Sequence, residues 1–351
     1  MAPRNPLKLK PLDEQVIVIT GATSGIGLST ARAAAARGAA LMLAARNEEA
    51  LKSVCEDLAG KGARTAYTVA DVGDETQVRA IARAAIDQFG GFDTWVNDAG
   101  VSIFGAIGET SIEDQRRLFD TNYWGVVYGS RVAVEHLRER PGGGALINVG
   151  SVLGDIAIPL QGAFSASKHA VRGFTQALRM EMIREGAPVS VTLIKPSAID
   201  TPYKDHARNL TGEPVKNPPP VYATPLVAQA ILYAAEHRTR EITVGAGGSI
   251  IAGLAALAPA IAEPLMAWAA PILQRDPNGR RGPRADNLHQ PGQDLRERAY
   301  YRGVRQESLY AAAQMRPLAT LALAVVAGLA AAAAFLGGKR LGRLREKPAD
   351  L

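Results

Sequence analysis

A glycine-rich turn between an apolar run and an alanine-rich stretch constrains the fold of this chain more than any other feature. The run QVIVIT over Gln15–Thr20 is short and β-branched, which is typical of a buried strand. The turn GATSGIG follows at once, and Gly25–Arg37 then has the composition of a helix that ends at Gly38. A strand, a tight turn and a helix in this order predict the first unit of an α/β domain.

The same alternation of apolar runs and helical stretches continues to residue 244. Six further strands are predicted, over Leu41–Ala44, Arg64–Val69, Thr94–Val96, Ala145–Val149, Val189–Ile194 and Glu241–Val244. Helices are predicted over Glu48–Leu58, Glu75–Phe89, Ile112–Leu137 and Phe164–Arg184, and Thr201–Tyr222 is predicted to be a mobile loop. The pattern predicts a doubly wound parallel sheet of about seven strands, an α/β fold of the Rossmann type.

The composition changes after Gly248. Ile250–Leu273 is nearly uncharged and is interrupted by prolines, which favours two short helices, whereas Leu318–Leu336 carries no charge at all. The predicted organisation is a Rossmann domain over 1–248, an apolar helical extension over 249–273, an Arg/Pro/Gly-rich linker over 274–316, a transmembrane helix over 317–338 and a basic tail over 339–351.

Alternatives remain open for both apolar segments. Because Leu318–Leu336 is rich in alanine, a helix on a surface or against a partner competes with a membrane span. Ile250–Leu273 fits a lid or a dimer-forming helix pair as well as a substrate entrance or a second membrane contact.

Charge and cysteine content exclude other classes of function. The formal net charge is +6, and the basic residues gather late in the chain without interleaved aromatic residues, which argues against nucleic-acid binding. Cys55 is the only cysteine, so an intrachain disulfide is excluded and no cysteine metal site is indicated.

The glycine-rich turn itself predicts a ligand. Glycines at 21, 25 and 27 allow backbone N–H groups to approach a pyrophosphate at a helix N-terminus, so a dinucleotide is expected there. The residues of this turn expected to contact it are Gly21, Thr23, Ser24, Gly25, Ile26 and Gly27.

Several motifs in order resemble the short-chain dehydrogenase/reductase family. Its T-G-x-x-x-G-x-G pattern is matched from Thr20 to Gly27, and its N-N-A-G pattern is matched by Asn97-Asp98-Ala99-Gly100 except at Asp98. Asn122, Ser151 and Lys168 then follow in the family's catalytic order, and the resemblance covers roughly Pro11 to Gly245. By this resemblance the further cofactor contacts are Asp71, Val72, Asn97, Ala99, Lys168, Ile199 and Thr201.

Arg46 indicates which dinucleotide is preferred. An NAD site usually places a carboxylate at the end of the second strand for the ribose 2′-hydroxyl, whereas a guanidinium there suits a 2′-phosphate. NADP(H) is therefore expected ahead of NAD(H), with a solvated surface arginine as the alternative interpretation of Arg46.

The family's catalytic tyrosine is replaced by Phe164, four residues before Lys168. The resemblance implies a site of Asn122, Ser151, Phe164 and Lys168, in which the phenylalanine has no proton to give. General acid–base catalysis contributes about 10²–10⁴-fold, so impaired turnover is expected. Three interpretations stay open: an impaired or unusual reductase, a cofactor-binding pseudoenzyme, and an active-site substitution in an otherwise ordinary enzyme.

The sequence thus predicts an NADP(H)-dependent oxidoreductase acting on an apolar carbonyl or alcohol. The rival is a membrane-tethered regulatory module that binds NADP(H) without turnover. We expect a homo-oligomer, because the family commonly forms dimers or tetramers, and a cytoplasmic catalytic domain held at a membrane by the C-terminal segment.

Overall fold

The computed structural model describes residues 6–279, 285–292, 294–316 and 320. Its strands are β1 (Val16–Thr20), β2 (Ala40–Ala45), β3 (Thr65–Val69), β4 (Thr94–Asn97), β5 (Ile103–Phe104), β6 (Gly144–Val149), β7 (Val189–Pro196), β8 (Arg208–Asn209) and β9 (Glu241–Val244). Its helices are α1 (Gly25–Ala35), α2 (Glu48–Ala59), α3 (Glu75–Phe89), α4 (Ile112–Phe119), α5 (Gly125–Glu139), α6 (Gly162–Glu185), α7 (Tyr203–His206), α8 (Thr224–Glu236), α9 (Ala246–Leu257), α10 (Pro259–Gln274) and α11 (Leu309–Met315).

Seven strands form one parallel sheet in the order β3-β2-β1-β4-β6-β7-β9. The central strands β1, β6 and β7 are buried along their whole length, as expected for a sheet covered by helices on both faces. The predicted α/β Rossmann fold is thereby confirmed. Because all strands run the same way, the segments after β1, β4, β6 and β7 meet at one edge of the sheet, where ligands bind in such folds.

Two regions differ from the secondary structure that the sequence predicts: one predicted helix is interrupted, and one predicted loop contains a helix and a strand. The single helix expected over Ile112–Leu137 is interrupted by a π-helical turn at Asp120–Trp124, which separates α4 from α5. The loop expected over Thr201–Tyr222 contains α7 and β8, and β8 pairs with β5 in a second, two-stranded sheet. Pairing over β8 holds this part of the chain beside the segment that follows β4.

The apolar extension forms the two expected short helices, α9 and α10. The two helices expose large apolar side chains, of which Ile251, Leu265 and Leu273 also line a cavity of the main domain; the full set is Ile250, Ile251, Leu254, Leu257, Ile261, Leu265, Trp268, Ile272 and Leu273. Over the described ranges, the chain contains no helix with the length and hydropathy needed to cross a bilayer. The predicted transmembrane helix over 317–338 and the basic tail over 339–351 lie outside the described residues, Thr320 excepted.

The range predicted as a linker contains a segment that is held against the main domain. We call residues 285–292 and 294–297 the C-terminal strap. Leu288 in the strap is fully buried against the cluster of Val101, Ile103 and Leu118. The strap crosses the carboxyl edge of the parallel sheet.

Candidate functional site

A cavity of about 530 Å³ opens at the carboxyl edge of the sheet. Its wall is built from the glycine-rich turn, the segments after β2, β4, β6 and β7, the inner faces of α9 and α10, and the C-terminal strap. One continuous space therefore joins the predicted dinucleotide contacts, the predicted catalytic residues and an apolar chamber.

The glycine-rich turn approaches its neighbours as closely as the motif predicts. A Cβ atom at Gly27 would lie 2.2 Å from the carbonyl oxygen of Gly21, so only glycine allows α1 to pack on β1 at this point. Gly21 has a φ of 71°, a left-handed conformation that favours glycine. Thr23, Ser24 and Ile26 line the cavity, and the side chain of Ser24 makes no capping hydrogen bond at the start of α1.

Charged side chains of both signs lie at the end of the cavity that is formed by the segments after β2 and β3. Asp71 forms an ion pair with Arg117, whose Nη2 lies 2.5 Å from Oδ2, and both Asp71 and Val72 line the cavity. Arg46 lies beside this pair and donates hydrogen bonds to the carbonyl oxygens of Leu288 and Asn287. Burial lowers the pKa of Arg46, yet the group stays charged because an arginine titrates far above neutral pH.

The C-terminal strap closes over this end of the cavity through its backbone. The N–H of Gly25 donates to the carbonyl oxygen of Arg296 at 2.9 Å, and the N–H of Leu295 donates to that of Thr23 at 2.8 Å. Asp294 in the strap lines the cavity. Burial raises the pKa of the Asp294 carboxyl group against the opposing effects of His206, Thr23, Asn47 and Arg46.

Ser151, Phe164 and Lys168 lie together in the cavity wall. Ser151 follows β6, and its hydroxyl oxygen accepts a hydrogen bond from the N–H of Leu153. Lys168 is buried in α6 and donates to the carbonyl oxygen of Val149 at 3.0 Å, while its Nζ lies 5.7 Å from the centroid of the Phe164 ring. The fold thus brings three of the four predicted catalytic residues to one wall.

Asn122 and Asn97 lie behind that wall rather than in it. Asn122, in the π-helical turn, accepts from the N–H of Val101 and donates to its carbonyl oxygen and to Ser167. Asn97 donates to Asn148 and accepts from the indole of Trp95. Asn122 thereby holds the segment after β4 in place, and neither amide is among the described residues that line the cavity.

Three more of the predicted cofactor contacts, Ala99, Ile199 and Thr201, line the cavity. Ala99 lines the cavity, and its N–H donates to the hydroxyl oxygen of Thr20. Ile199 and Thr201 line the cavity after β7, and the Thr201 side chain lies 3.4 Å from the position a Cβ would take at Gly25. The segment after β7 therefore faces the glycine-rich turn across the cavity.

Asp98 and Lys168 influence each other electrostatically within the cavity. Burial raises the pKa of Asp98 to about 7, against the lowering effects of the Lys168 charge and of a hydrogen bond from the N–H of Gly27. Burial lowers the pKa of Lys168 to about 8, against the raising effect of Asp98. Both groups therefore change charge within reach of neutral pH.

A polar cluster that no sequence motif predicts faces the Phe164 side chain. Tyr203 in α7 packs edge-on against Phe164, with ring centroids 5.6 Å apart. Its hydroxyl group lies 2.5 Å from Ser102 Oγ and donates to Gln161 Oε1 at 2.7 Å. These residues come from three distant parts of the chain, so only the fold could bring them together. Asp98 was visible as a departure from the family pattern, but its link to Lys168 was not.

The fold and the cavity define a Rossmann protein with a cavity at the carboxyl edge of its sheet. The family model for short chain dehydrogenase matches residues 15–210 of this chain. The chain therefore belongs to the short-chain dehydrogenase/reductase family of oxidoreductases.

Relatives and solved structures agree with this assignment. The chain is 47% identical over 336 residues to an uncharacterized oxidoreductase, YxnA, of Bacillus subtilis, covering 94% of this chain and 93% of the relative. It is 36% identical over 194 residues to the mouse dehydrogenase/reductase SDR family member 7B, covering 54% and 59% of the two chains.

Two solved structures of similar fold hold dinucleotides. A short chain dehydrogenase/reductase from Burkholderia phymatum in complex with NAD has a TM-score of 0.66 at 27% identity, covering 78% of this chain and 100% of its own. An alcohol dehydrogenase from Thermococcus sibiricus complexed with 5-hydroxy-NADP has a TM-score of 0.58 at 26% identity, covering 66% and 95%.

Proposed function

We propose that this chain is an NADP(H)-dependent oxidoreductase that acts on an apolar carbonyl or alcohol. The observation that carries the proposal is the single cavity that runs from the glycine-rich turn and Arg46, past Ser151 and Lys168, to the inner faces of α9 and α10. A dinucleotide and a substrate can meet in such a space because both share one uninterrupted wall.

The residues of the cavity fit a dinucleotide. Ser24 and Ile26 line the cavity at the start of α1, the Ser24 side chain makes no capping bond there, and a helix N-terminus suits a pyrophosphate. Arg46 and Arg117 place two guanidinium groups near the expected adenosine end, which favours a 2′-phosphate. A reduced nicotinamide, when bound, supplies a hydride to the substrate carbon.

The substrate end of the cavity favours apolar molecules. Its walls include Ile156, Ile158, Ile251, Leu265, Met266 and Leu273. Ser151 can donate a hydrogen bond to a substrate oxygen, and the ammonium group of Lys168 provides positive charge nearby. Burial of an apolar substrate in this chamber would be driven by the hydrophobic effect.

Binding and turnover test the proposal separately. Saturating NADPH should raise the melting temperature, because a ligand that binds only the folded state stabilises it by RT ln(1 + [L]/Kd), about 2.7 kcal/mol at a hundredfold excess over Kd. Oxidation of NADPH is then followed with a panel of aldehydes and ketones. A melting curve that neither NADPH nor NADH shifts would refute the proposal.

Phe164 favours a second candidate function. A family member without a phenol at this position would bind the dinucleotide and act as a regulatory module without turnover. Binding of NADPH together with no oxidation by any member of the panel would support this candidate over the enzyme.

Attachment to a membrane is a further part of the proposal. It is supported by the uncharged stretch Leu318–Leu336 and by the exposed apolar side chains on α9 and α10. A second copy of the chain competes for the α9–α10 face, in keeping with the expected homo-oligomer, and sedimentation of purified protein distinguishes these outcomes.

A further inference from the structure

Tyr203 lines the cavity, and its ring packs against that of Phe164. Ser151, Lys168, Ser102 and Tyr203 are among the polar residues that line the cavity. The ammonium group of Lys168 donates to the carbonyl oxygen of Val149 and lies 5.7 Å from the centroid of the Phe164 ring. Tyr203 is the phenol among them, and its ring contacts the ring that stands where the family has its tyrosine.

A chain of side-chain amides fixes the direction of the hydrogen bonds around Tyr203. Gln274 Nε2 donates to the carbonyl oxygens of Pro159 and Ala270, so Gln274 Oε1 must accept from Gln161 Nε2, at 2.7 Å. Gln161 Oε1 is thereby turned toward Tyr203 and accepts its proton. The Tyr203 oxygen can then only accept from Ser102, at 2.5 Å.

This arrangement prepares Tyr203 to release a proton. The bond from Ser102 to the phenol oxygen persists when the phenol loses its proton, and it stabilises the phenolate. Rotation about the Cζ–Oη bond turns the proton from Gln161 to an oxygen in the cavity, and no backbone movement is needed. Gln161 and Gln274 are each almost fully buried, so the chain of amides holds its orientation.

Burial raises the pKa of Tyr203, against the lowering effect of the bond from Ser102. The group is therefore a neutral phenol throughout the physiological range. A neutral phenol can give a proton to an alkoxide but cannot take one from an alcohol, which favours the reductive direction.

We propose that Tyr203 supplies the substrate proton that Phe164 cannot, with Ser102 and Gln161 as its positioning residues. This inference rests on the proposed oxidoreductase function. The carbonyl carbon gains the hydride from the reduced nicotinamide, the C=O π pair moves to oxygen, and that oxygen forms its O–H bond as the Tyr203 Oη–H bond breaks. Water returns a proton to the phenolate by way of Ser102.

The test compares Tyr203→Phe, Phe164→Tyr and the double variant in the full chain. With the carbonyl substrate found in the panel, Tyr203→Phe should lower kcat by about 10²-fold or more while the Kd for NADPH stays within twofold. Phe164→Tyr in the Tyr203→Phe background should restore kcat at least to the wild-type value. If Tyr203 had only a structural role, a tyrosine at position 164 would not restore the kcat that is lost in Tyr203→Phe.

A binding measurement supplies a readout without turnover. The same ketone with oxidised NADP forms a dead-end complex that cannot react, and its affinity should fall about two- to tenfold in Tyr203→Phe through the lost hydrogen bond. Tyr301→Phe is the matched control, because Tyr301 is a partly buried phenol whose oxygen accepts from the N–H of Asn217 and which is not among the described residues lining the cavity.

The outcomes separate this inference from the proposed function. Wild-type turnover with Tyr203→Phe within twofold of it would overturn the role of Tyr203 and leave the oxidoreductase standing. A loss in Tyr203→Phe that Phe164→Tyr does not rescue would also overturn it. A wild type that binds NADPH but reduces nothing, while Phe164→Tyr does reduce the panel, would overturn both.

Discussion

The N–H of Gly27 donates a hydrogen bond to the carboxyl group of Asp98, at the position where the family pattern has asparagine. A protonated aspartic acid has nearly the shape of asparagine, and burial raises the pKa of Asp98 to about 7. The pyrophosphate expected at the start of α1 would favour the neutral form further, since two negative groups would otherwise share the site. Binding of the dinucleotide should therefore be coupled to uptake of a proton.

The affinity for NADPH should fall as the pH rises through about 7. If binding raises the pKa of Asp98 by about one unit, the affinity for NADPH falls about tenfold from the pH range where Asp98 is protonated to the range where it is ionised. Asp98→Asn should remove the part of this pH dependence that comes from Asp98, and the variant should bind NADPH more tightly than wild type at pH 8. Lys168 faces the same site, and Asp98→Asn removes the negative charge that opposes the lowering of its pKa, so a residual decline in the variant is expected to begin below pH 8.

Fluorescence titration with NADPH from pH 6 to pH 9 measures both curves. Parallel curves for wild type and Asp98→Asn would contradict the coupling.

The same substitution should also change how the stability of the fold depends on pH. The folded-state pKa of Asp98 is above its unfolded value of 3.8, so wild-type stability is lost as the pH rises from about 4 to about 7, and Asp98→Asn should show no such loss.

Two helical glycines give opposite predictions for stability. A Cβ at Gly27 would lie 2.2 Å from a backbone oxygen, whereas a Cβ at Gly173 in α6 meets nothing within 4 Å. Gly27→Ala should lower the melting temperature and abolish binding of NADPH, because α1 must move away from β1. Gly173→Ala should stabilise the protein by up to about 1 kcal/mol through helix propensity. Equal melting temperatures for the two variants would argue against this packing.

The alternation of strands and helices could be predicted from the sequence because each element has its own hydrophobic period and its own turn signal. α8 was missed because eight of its thirteen residues, including Val227, Ile231 and Ala235, are buried and leave no clear polar face. The π-helical turn around Asn122 was missed for a different reason. It is held by bonds from Asn122 to the distant residues Val101 and Ser167, which no local pattern reports.

The site was predictable to the extent that motifs carry it. Ser151 and Lys168 were found by their order in the family pattern, and the fold brings them to one wall. Tyr203 and the strap residue Leu288 were out of reach, because each acts through contacts with residues far away in the chain. Arg46 was found, but its carbonyl partners in the strap were not.

Arg46→Asp tests the cofactor preference. The guanidinium group favours a 2′-phosphate, and a carboxylate in its place would repel that phosphate and accept from a 2′-hydroxyl. Wild type should bind NADPH at least tenfold more tightly than NADH, about 1.4 kcal/mol, and the variant should lose or invert this ratio. Titration of both proteins with both dinucleotides checks the expectation. A wild type that does not discriminate between them would contradict it.

The C-terminal strap should control how fast the dinucleotide leaves. Leu288 is fully buried and fixes the strap to the main domain, whereas Leu295 in the same strap is 45% exposed. Leu288→Ala should loosen the strap and raise the dissociation rate of NADPH about tenfold or more, since a buried leucine truncated to alanine costs about 2–5 kcal/mol. Leu295→Ala is the matched control. Stopped-flow displacement gives both rates, and an unchanged rate in Leu288→Ala would mean that the strap does not gate release.

Removal of residues 316–351 tests the proposed membrane attachment. Such a truncation keeps α11, in which Gln314 bonds to the backbone of Thr243, so the folded domain should keep its melting temperature. The truncated protein should move from the membrane fraction to the soluble fraction, because the uncharged stretch Leu318–Leu336 is gone. Trp268→Lys in the full chain, on the exposed face of α10, should stay with the membrane. The reverse pattern, with retention of the truncated protein and release of Trp268→Lys, would assign the membrane contact to α9 and α10 instead.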